Sequence, residues 1–433
     1  MKDRDIEKRA SVLGVTFRAL GYRNFRLFFI GQGISLVGTW VQQIAMGWLV
    51  YRLTHSAFIL GIVAFASQIP TFLLGPLAGV ASDRLNRHRL IITTQTLAMV
   101  QAFIMTGLML TGAIRVWHII ALGTALGCIN AMDTPARQAF IIDMVEKKET
   151  LGNAIALNSM MFNLARLIGP SIAGIIISLT GETWCFFLNG ISFLAVILCL
   201  LAMKIRRREL PAKRQHILKD LKEGFDYAFG FAPIKFILFL ISVLSLTGMS
   251  YVVLMPVYAK DILGGGPRTF GFLMASVGIG AVIGTVYLAS RKHVLRLGPL
   301  IPFSSFLFGA GLFAFAFSRN LTASLVILGI IGFGFMVQMA SCNTVIQTIV
   351  DDDKRGRVMS LYTMAFLGMA PVGSLLAGMI ASRWGAANAV AMGGIFSIAV
   401  AAVFASQLEN LRKIVNPIYE NIHKGGAHEK RDQ

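Results

Sequence analysis

The sequence predicts an all-α integral membrane protein, with twelve transmembrane helices in two pseudo-symmetric six-helix halves. Three observations predict it. Of 433 residues, 55% are hydrophobic and only 14% are charged, against about 25% charged in an average soluble domain. Apolar runs long enough to span a bilayer recur along the whole chain. Between them, lysine and arginine fall in alternate connections. The composition excludes a disordered chain and a disulfide scaffold.

The runs lie at 25–50, 57–80, 90–112, 117–139, 154–178, 184–203, 236–259, 270–290, 298–318, 322–347, 358–381 and 386–406. Each is close to the roughly 20 residues that cross hydrocarbon as a helix. They are helices because lipid offers no partner to an unpaired peptide group. They are too long and alternate too little for barrel strands.

An even number of spans puts both termini on one side. Of 40 Lys and Arg, 32 lie in the arm before the first span, in the connections after the even-numbered spans and in the tail. Only Arg52, Arg115, Lys260, Arg268, Arg319 and Arg383 lie in the opposite connections. The positive-inside rule then makes both termini cytoplasmic. The net charge of +19 thus reads as topology and attraction to anionic membrane lipids. It does not read as a nucleic-acid surface, since no soluble domain remains to carry one. The N-terminus is basic and lacks the early apolar stretch of a removable signal peptide.

The expected organisation is an N-terminal half at 1–203, a cytoplasmic linker at 204–235, a C-terminal half at 236–406 and a cytoplasmic tail at 407–433. In the linker, Ile217, Leu221, Phe225 and Phe229 recur every four residues, with Lys219, Lys222 and Glu223 on other faces. That pattern predicts an amphipathic helix on the membrane surface. A shift of 204 residues lays the fifth span on the eleventh. Gly152 meets Gly356, Phe162 meets Phe366, Gly169 meets Gly373 and Gly174 meets Gly378. Two related six-span halves point to a transporter that moves around a central site.

Several motifs then narrow the class. The second span ends in GPLAGVASDRLNRHR, with Gly75 and Gly79 spaced for close helix approach and Asp83, Arg84 and Arg87 following. The fifth span carries LARLIGPSIAG, where Gly169, Pro170 and Gly174 would bend the helix and leave it a smooth face. The GIGAVIG run at Gly278–Gly284 lies in an apolar span with no preceding strand, and reads as helix packing rather than nucleotide binding. No P-loop is present, and the seven histidines lack metal-ligand spacing, so neither a cofactor nor a metal is expected. Cys128, Cys185, Cys199 and Cys342 form no C-x-x-C and read as buried or lipid-facing thiols.

The run Gly79, Asp83, Arg84, Arg87 resembles the signature loop of the major facilitator superfamily. The resemblance extends over essentially all twelve spans. It implies a latch between the halves at the cytoplasmic side, formed by Asp83 and Arg84 against the start of the eleventh span. Asn86 stands where the family usually has glycine. The GP run of the fifth span is similar to a motif of drug and proton antiporters, with Ala173 replacing one glycine. NFRLFFIGQGISLVGTW, DTPARQAFIIDMV and LGNAIALN resemble the enterobactin-exporter-like branch, whose members export siderophores, drugs and other amphiphiles. In this superfamily spans one, four, seven and ten line the cavity. By resemblance Gln42, Gln43, Gln338 and Asn343 are therefore cavity candidates, with interhelical hydrogen bonding the alternative for each. Trp40, Trp48 and Phe162 are candidates to stack an aromatic substrate, with an interface anchor or a lipid-facing ring the commoner use of tryptophan.

Charges inside the spans are functional candidates by default. Asp133 lies in the fourth span and Arg166 lies about 20 Å into the fifth. Asp133 can pair with Arg166 across two antiparallel spans, or with Arg137 one turn along its own helix. It is either a proton carrier or a structural clamp.

The expected function is secondary active transport, a proton-coupled exporter of a small amphiphilic compound working by alternating access. The partners expected are a small-molecule substrate, protons and membrane lipids, with one chain sufficient to form the cavity. The setting expected is the bacterial inner membrane. An uncoupled facilitator and a lipid or lysolipid flippase on the same fold are the alternatives within transport. A membrane sensor or scaffold is the alternative outside it. An enzyme is not expected, because no convergent acid, base or metal group is visible.

Overall fold

The computed structural model describes residues 17–145, 147–205, 217–249, 251–291, 297–351 and 354–429. For Pro76, Val80, Ser82, Asp83, Arg84, Lys148, 217–222 and 418–429, only the backbone course is described. Among the described residues every regular element is helical. The α-helices are α1 (Arg23–Thr54), α2 (Ala57–Arg84), α3 (Arg87–Leu110), α4 (Val116–Met144), α5 (Lys148–Thr180), α6 (Glu182–Leu201), α7 (Ile217–Gly230), α8 (Ala232–Val243), α9 (Tyr251–Val257), α10 (Pro267–Ala289), α11 (Leu300–Ala316), α12 (Leu321–Ile349), α13 (Arg355–Trp384) and α14 (Ala386–Glu429).

A helix stands at each of the twelve expected spans. Among the described residues, ten stretches are long and apolar enough to cross a membrane by length and composition. The other two deviate for different reasons. Helix α1 has 32 residues, but Gln32, Thr39, Gln42 and Gln43 dilute its apolar character. Helix α11 is apolar but has only 17 residues, about 25 Å of rise.

Turn chemistry sets the helix ends. The Asn86 side chain accepts from the Arg89 amide at 3.1 Å and caps α3. Asn320 caps α12 through the Ala323 amide at 3.1 Å. Gly181 ends α5 at φ 85° and Gly385 ends α13 at φ 87°, a left-handed conformation that glycine reaches without strain. These two glycines are 204 residues apart, the offset of the internal repeat.

The chain divides into two compact units, Met1–Leu53 with Ala66–Lys213, and Thr54–Phe65 with Arg214–Gln433. In the first, Phe25, Phe28, Ile91, Phe140 and Leu200 form a buried cluster at the end of the bundle that carries the basic connections. In the second, small residues let helices touch backbone to backbone. A Cβ on Gly280 would overlap the Gly329 carbonyl, and one on Gly332 would overlap the Val277 carbonyl. The GIGAVIG glycines are thus the seam between α10 and α12.

Two of the spans differ from expectation. The seventh span is not one helix. Between α8 and α9 the chain forms a π turn at Leu244–Gly248, and a second follows at Tyr258–Ile262. Pro256 inside α9 removes one ladder donor. The first π turn is cradled by small residues: Cβ atoms on Gly373 and Gly393 would overlap the Leu246 and Thr247 carbonyls. The helix of the twelfth run does not end near 406, since α14 runs on to Glu429. No glycine or proline interrupts it between Gly394 and Pro417. Leu408, Leu411 and Val415 line a groove with Pro233, Ile237 and Ile301, so the extension has an apolar face to cover. In the connection, α7 begins at Ile217, but the side chains of Ile217 and Leu221 lie outside the described residues. Phe225 and Phe229 stack at 4.1 Å and stay exposed. The opposite face docks on α13 and the turn before it. Glu223 pairs with Arg357 at 2.8 Å, and Tyr227 donates to Asp351 at 3.3 Å.

Gly280→Leu is expected to lower the stability of the purified protein by about 3 kcal/mol, because a side chain there meets backbone and cannot be accommodated by rotamer change. Gly107→Ala, where an added Cβ meets nothing within 4 Å, is expected to leave stability unchanged or slightly raised. Thermal unfolding in detergent compares the two variants.

Candidate functional site

The polar side chains inside the first unit fall into two layers. The layer nearer the basic connections is built on α3 and α4. Asp133 sits on α4 two residues before Pro135 and is 1% exposed. Its Oδ1 accepts from the Thr94 hydroxyl at 2.7 Å and from Gln95 Nε2 at 3.0 Å. Its Oδ2 pairs with Arg137, one turn on. The Arg137 side chain is 22% exposed, so the pair has one enclosed end and one accessible end. Three donors therefore converge on a carboxylate shielded from solvent, which is how a buried charge is tolerated.

Of the two arrangements open to Asp133, the structure takes the one on its own helix. Arg166 is elsewhere. It sits on α5, and its Nη2 donates to Asn163 Oδ1 at 2.9 Å. The Asn163 amide is itself fixed by donating to the Ser159 carbonyl at 2.8 Å. Just beyond Asp133, Arg87 reaches the Ala139 carbonyl at 3.3 Å and Asp143 at 3.4 Å. Gly79 lies on α2, with open space where a Cβ would be. The side chains of Asp83 and Arg84, expected to form the latch, lie outside the described residues.

The second layer ties α1, α3 and α6 together. Gln42 Nε2 donates to Gln101 Oε1 at 3.1 Å, and Asn189 Nδ2 donates to Gln42 Oε1 at 2.8 Å. Ser192 donates to Asn189 Oδ1 at 3.0 Å. A Cβ on Gly38 would collide with Ser192 and Asn189, so the glycine admits this network. Gln42 is 2% exposed. Its amide bonds helix to helix and is not turned to an open space. Gln43, the next residue, is exposed. At the other end, Arg52 closes on the buried Glu182 at 2.7 and 3.3 Å, joining α1 to the first turn of α6.

On α5, Gly169, Pro170 and Gly174 are all buried, and the helix stays continuous from Lys148 to Thr180. Gly169 lies against Trp40 of α1, where a Cβ would clash. Trp40 in turn meets Phe162 edge-on at 6.1 Å.

In the second unit, Gln338 on α12 is 1% exposed and its Nε2 points to Cys342 Sγ at 3.4 Å. Gln338 Oε1 and Ser341 Oγ are enclosed without a hydrogen-bond partner among the described residues. Asn343 is partly exposed and accepts from Gln347 at 3.1 Å. Gln338 and Cys342 stand 205 residues after Asp133 and Arg137, close to the repeat offset. The same i,i+4 position is thus charged in one unit and neutral in the other.

Sequence reasoning singled out Asp133 and Arg137 but not Thr94 and Gln95, which complete the carboxylate's surroundings. It singled out Gln42 but not Gln101, Asn189, Arg52 or Glu182. A polar residue in an apolar run was the available signal for Thr94, Gln95, Gln101 and Asn189; Arg52 and Glu182 lie just outside the runs.

Residues 15–418 match the family described as transmembrane secretion effector, within the major facilitator superfamily. The chain belongs to that family and is a multi-pass membrane transporter of small molecules, not an enzyme. It is 32% identical to the staphyloferrin A transporter of Staphylococcus aureus, over 88% of this chain and 95% of that protein. It is 25% identical to the multidrug efflux pump Tap of Mycolicibacterium fortuitum, over 93% and 98%. It is 26% identical to the enterobactin exporter EntS of Shigella boydii, over 87% and 90%. Among solved structures, a bacterial homologue of the human lysosomal transporter Spinster superposes with a TM-score of 0.68 at 14% identity, over 92% of this chain and 98% of that one. A POT family transporter superposes at 0.71 with 10% identity, over 90% and 96%. These two likenesses concern the fold.

Gln42→Ala is expected to cost about 1 kcal/mol of stability, since Gln101 and Asn189 each lose a partner in a place without water. Thermal unfolding of the purified variant measures it.

Proposed function

We propose that this protein is a proton-coupled exporter of small amphiphilic compounds of the siderophore or drug type, working by alternating access. Its relatives support the cargo class: their names describe a siderophore transporter, a siderophore exporter and a multidrug efflux pump. The asymmetry of 32 basic residues against six supports cytoplasmic termini in a bacterial inner membrane, with anionic lipid against the basic face. The internal repeat supports two halves, 1–203 and 236–406, moving about a shared site within one monomer.

The observation that carries the coupling is Asp133. Among the described residues it is the buried carboxylate placed well inside a span, whereas Glu182 sits at a helix start. An exchange of partners gives it a cycle. When Arg137 parts from it, Asp133 takes up a proton and becomes neutral. When the pair reforms, the proton leaves and the guanidinium again neutralises the carboxylate. The partly exposed Arg137 is the member free to move, and Thr94 and Gln95 hold the acid in place. A proton on Asp133 and a salt bridge to Arg137 are then mutually exclusive, which gives the acid two states for cargo binding to choose between. The family's latch at Asp83 and Arg84 would act separately, on the equilibrium between the two access states.

Expressed in bacteria lacking their main efflux pumps, the protein is expected to lower accumulation of at least one siderophore, dye or macrolide. A proton uncoupler should restore it. Lowered accumulation that the uncoupler leaves untouched would reject proton coupling in favour of a facilitator. Asp133→Asn is expected to abolish pH-driven flux while substrate binding is retained, and full pH-driven flux in that variant would reject Asp133 as the carrier. Asp83→Asn is expected to reduce flux in a folded protein; wild-type flux would exclude the latch.

A further inference from the structure

One groove belongs to no part of the coupling cycle. It lies in the second unit, between the start of α8, the start of α11, the end of α12 and the extension of α14. These are the span ends that adjoin the basic connections. Pro233, Ile237, Ile301, Val345, Phe404 and Leu411 give it apolar walls. Its space amounts to about 490 Å³ up to the open side. Gly298 helps keep it clear, since a Cβ there would meet one other atom, Leu408 Cδ1, at 3.9 Å.

Depth along α14 identifies what surrounds the groove. The turn at Gly385 marks the far surface. At 1.5 Å per residue, Phe404 is about 27 Å along the helix from Ala386, Arg412 about 39 Å and Asn416 about 45 Å. Hydrocarbon is about 30 Å thick, and headgroups extend the bilayer to about 40–45 Å. The Phe404 end of the groove therefore lies in hydrocarbon, and Arg412 and Asn416 lie at headgroup level. These two are one turn apart, exposed, and line the same groove. Lys413 is exposed beside them. Glu409 is also exposed, and no ion pair joins it to Arg412 among the described residues.

We propose that this groove is a binding site for an anionic phospholipid. One acyl chain lies along the apolar walls, and the phosphodiester oxygens accept from the Arg412 guanidinium and Asn416 Nδ2. A planar guanidinium matches two phosphate oxygens, and a basic pocket between spans at this level suits an anionic headgroup. The proposal rests on the reading that anionic lipid meets the basic face, and it adds a particular site to it. It does not depend on export.

The test titrates the full-length protein, stripped of lipid in a non-ionic detergent, and follows bound lipid by native mass spectrometry. The probes are phosphatidylglycerol, phosphatidylcholine of the same chains, and glycerol 3-phosphate, which carries phosphate without chains. Wild type is expected to bind its first phosphatidylglycerol at least about fivefold more tightly than phosphatidylcholine. Arg412→Gln should remove that preference, and Lys413→Gln, outside the groove, should keep it. Gly298→Phe should fill the groove and weaken both lipids at least about fivefold. Glycerol 3-phosphate in excess should not displace the lipid. A preference that survives Arg412→Gln, or that Lys413→Gln removes equally, would leave anionic lipid on the basic face at large and overturn the groove. Equal affinity of wild type for the two lipids would overturn both. Displacement by glycerol 3-phosphate would make this a site for soluble phosphate esters and overturn the lipid. An unchanged first lipid in Gly298→Phe would overturn the placement of the chain. If Gly298→Phe fails to fold, the contrast between Arg412→Gln and Lys413→Gln decides.

Discussion

Hydrocarbon satisfies no hydrogen bond, and the arrangement of this protein follows from that constraint. Polar groups inside a span are drawn to partners on a neighbouring helix or on their own, with few atoms, such as Gln338 Oε1 and Ser341 Oγ, left over among the described residues. The Gln42, Gln101 and Asn189 amides therefore form a chain across three helices. Asp133 draws in Thr94 and Gln95 from α3 and Arg137 from the next turn of α4. The same constraint shapes the backbone. Where the seventh span breaks into π turns, glycines on α13 and α14 admit the displaced carbonyls.

Polarity is distributed unequally between the two related units. Asp133 and Arg137 have neutral counterparts near the repeat offset, Gln338 and Cys342. A proton taken up by the first unit therefore has no mirrored acid at that place in the second. Coupling through one acid in one half is a simple way for a symmetric fold to carry an asymmetric task.

Much of the fold was legible because span length and the placement of lysine and arginine are properties of the linear sequence. The apolar runs became helical within a few residues of their expected limits, except that π turns break the seventh and the last runs on past its limit. The rest depended on packing. The run at 236–259 is uniformly apolar, and nothing in its periodicity marks the π turns; only Gly248 and Pro256 hinted at irregularity. The continuation of α14 to Glu429 was hidden because its charged residues read as a tail, while Leu408, Leu411 and Val415 supply the face that packs. For the site, the depth of Asp133 and Arg166 followed from counting residues. The choice between Arg137 and Arg166 as partner did not, because both spacings were compatible with pairing.

The central claim is that cargo movement and proton movement are exchanged. The most direct measurement uses everted membrane vesicles with an acidified lumen and a fluorescent reporter of luminal pH. The substrate found by accumulation in cells is added outside. The account predicts that wild-type protein dissipates the pH gradient on addition of substrate, in step with substrate uptake into the lumen. Substrate uptake that leaves the gradient untouched would contradict it.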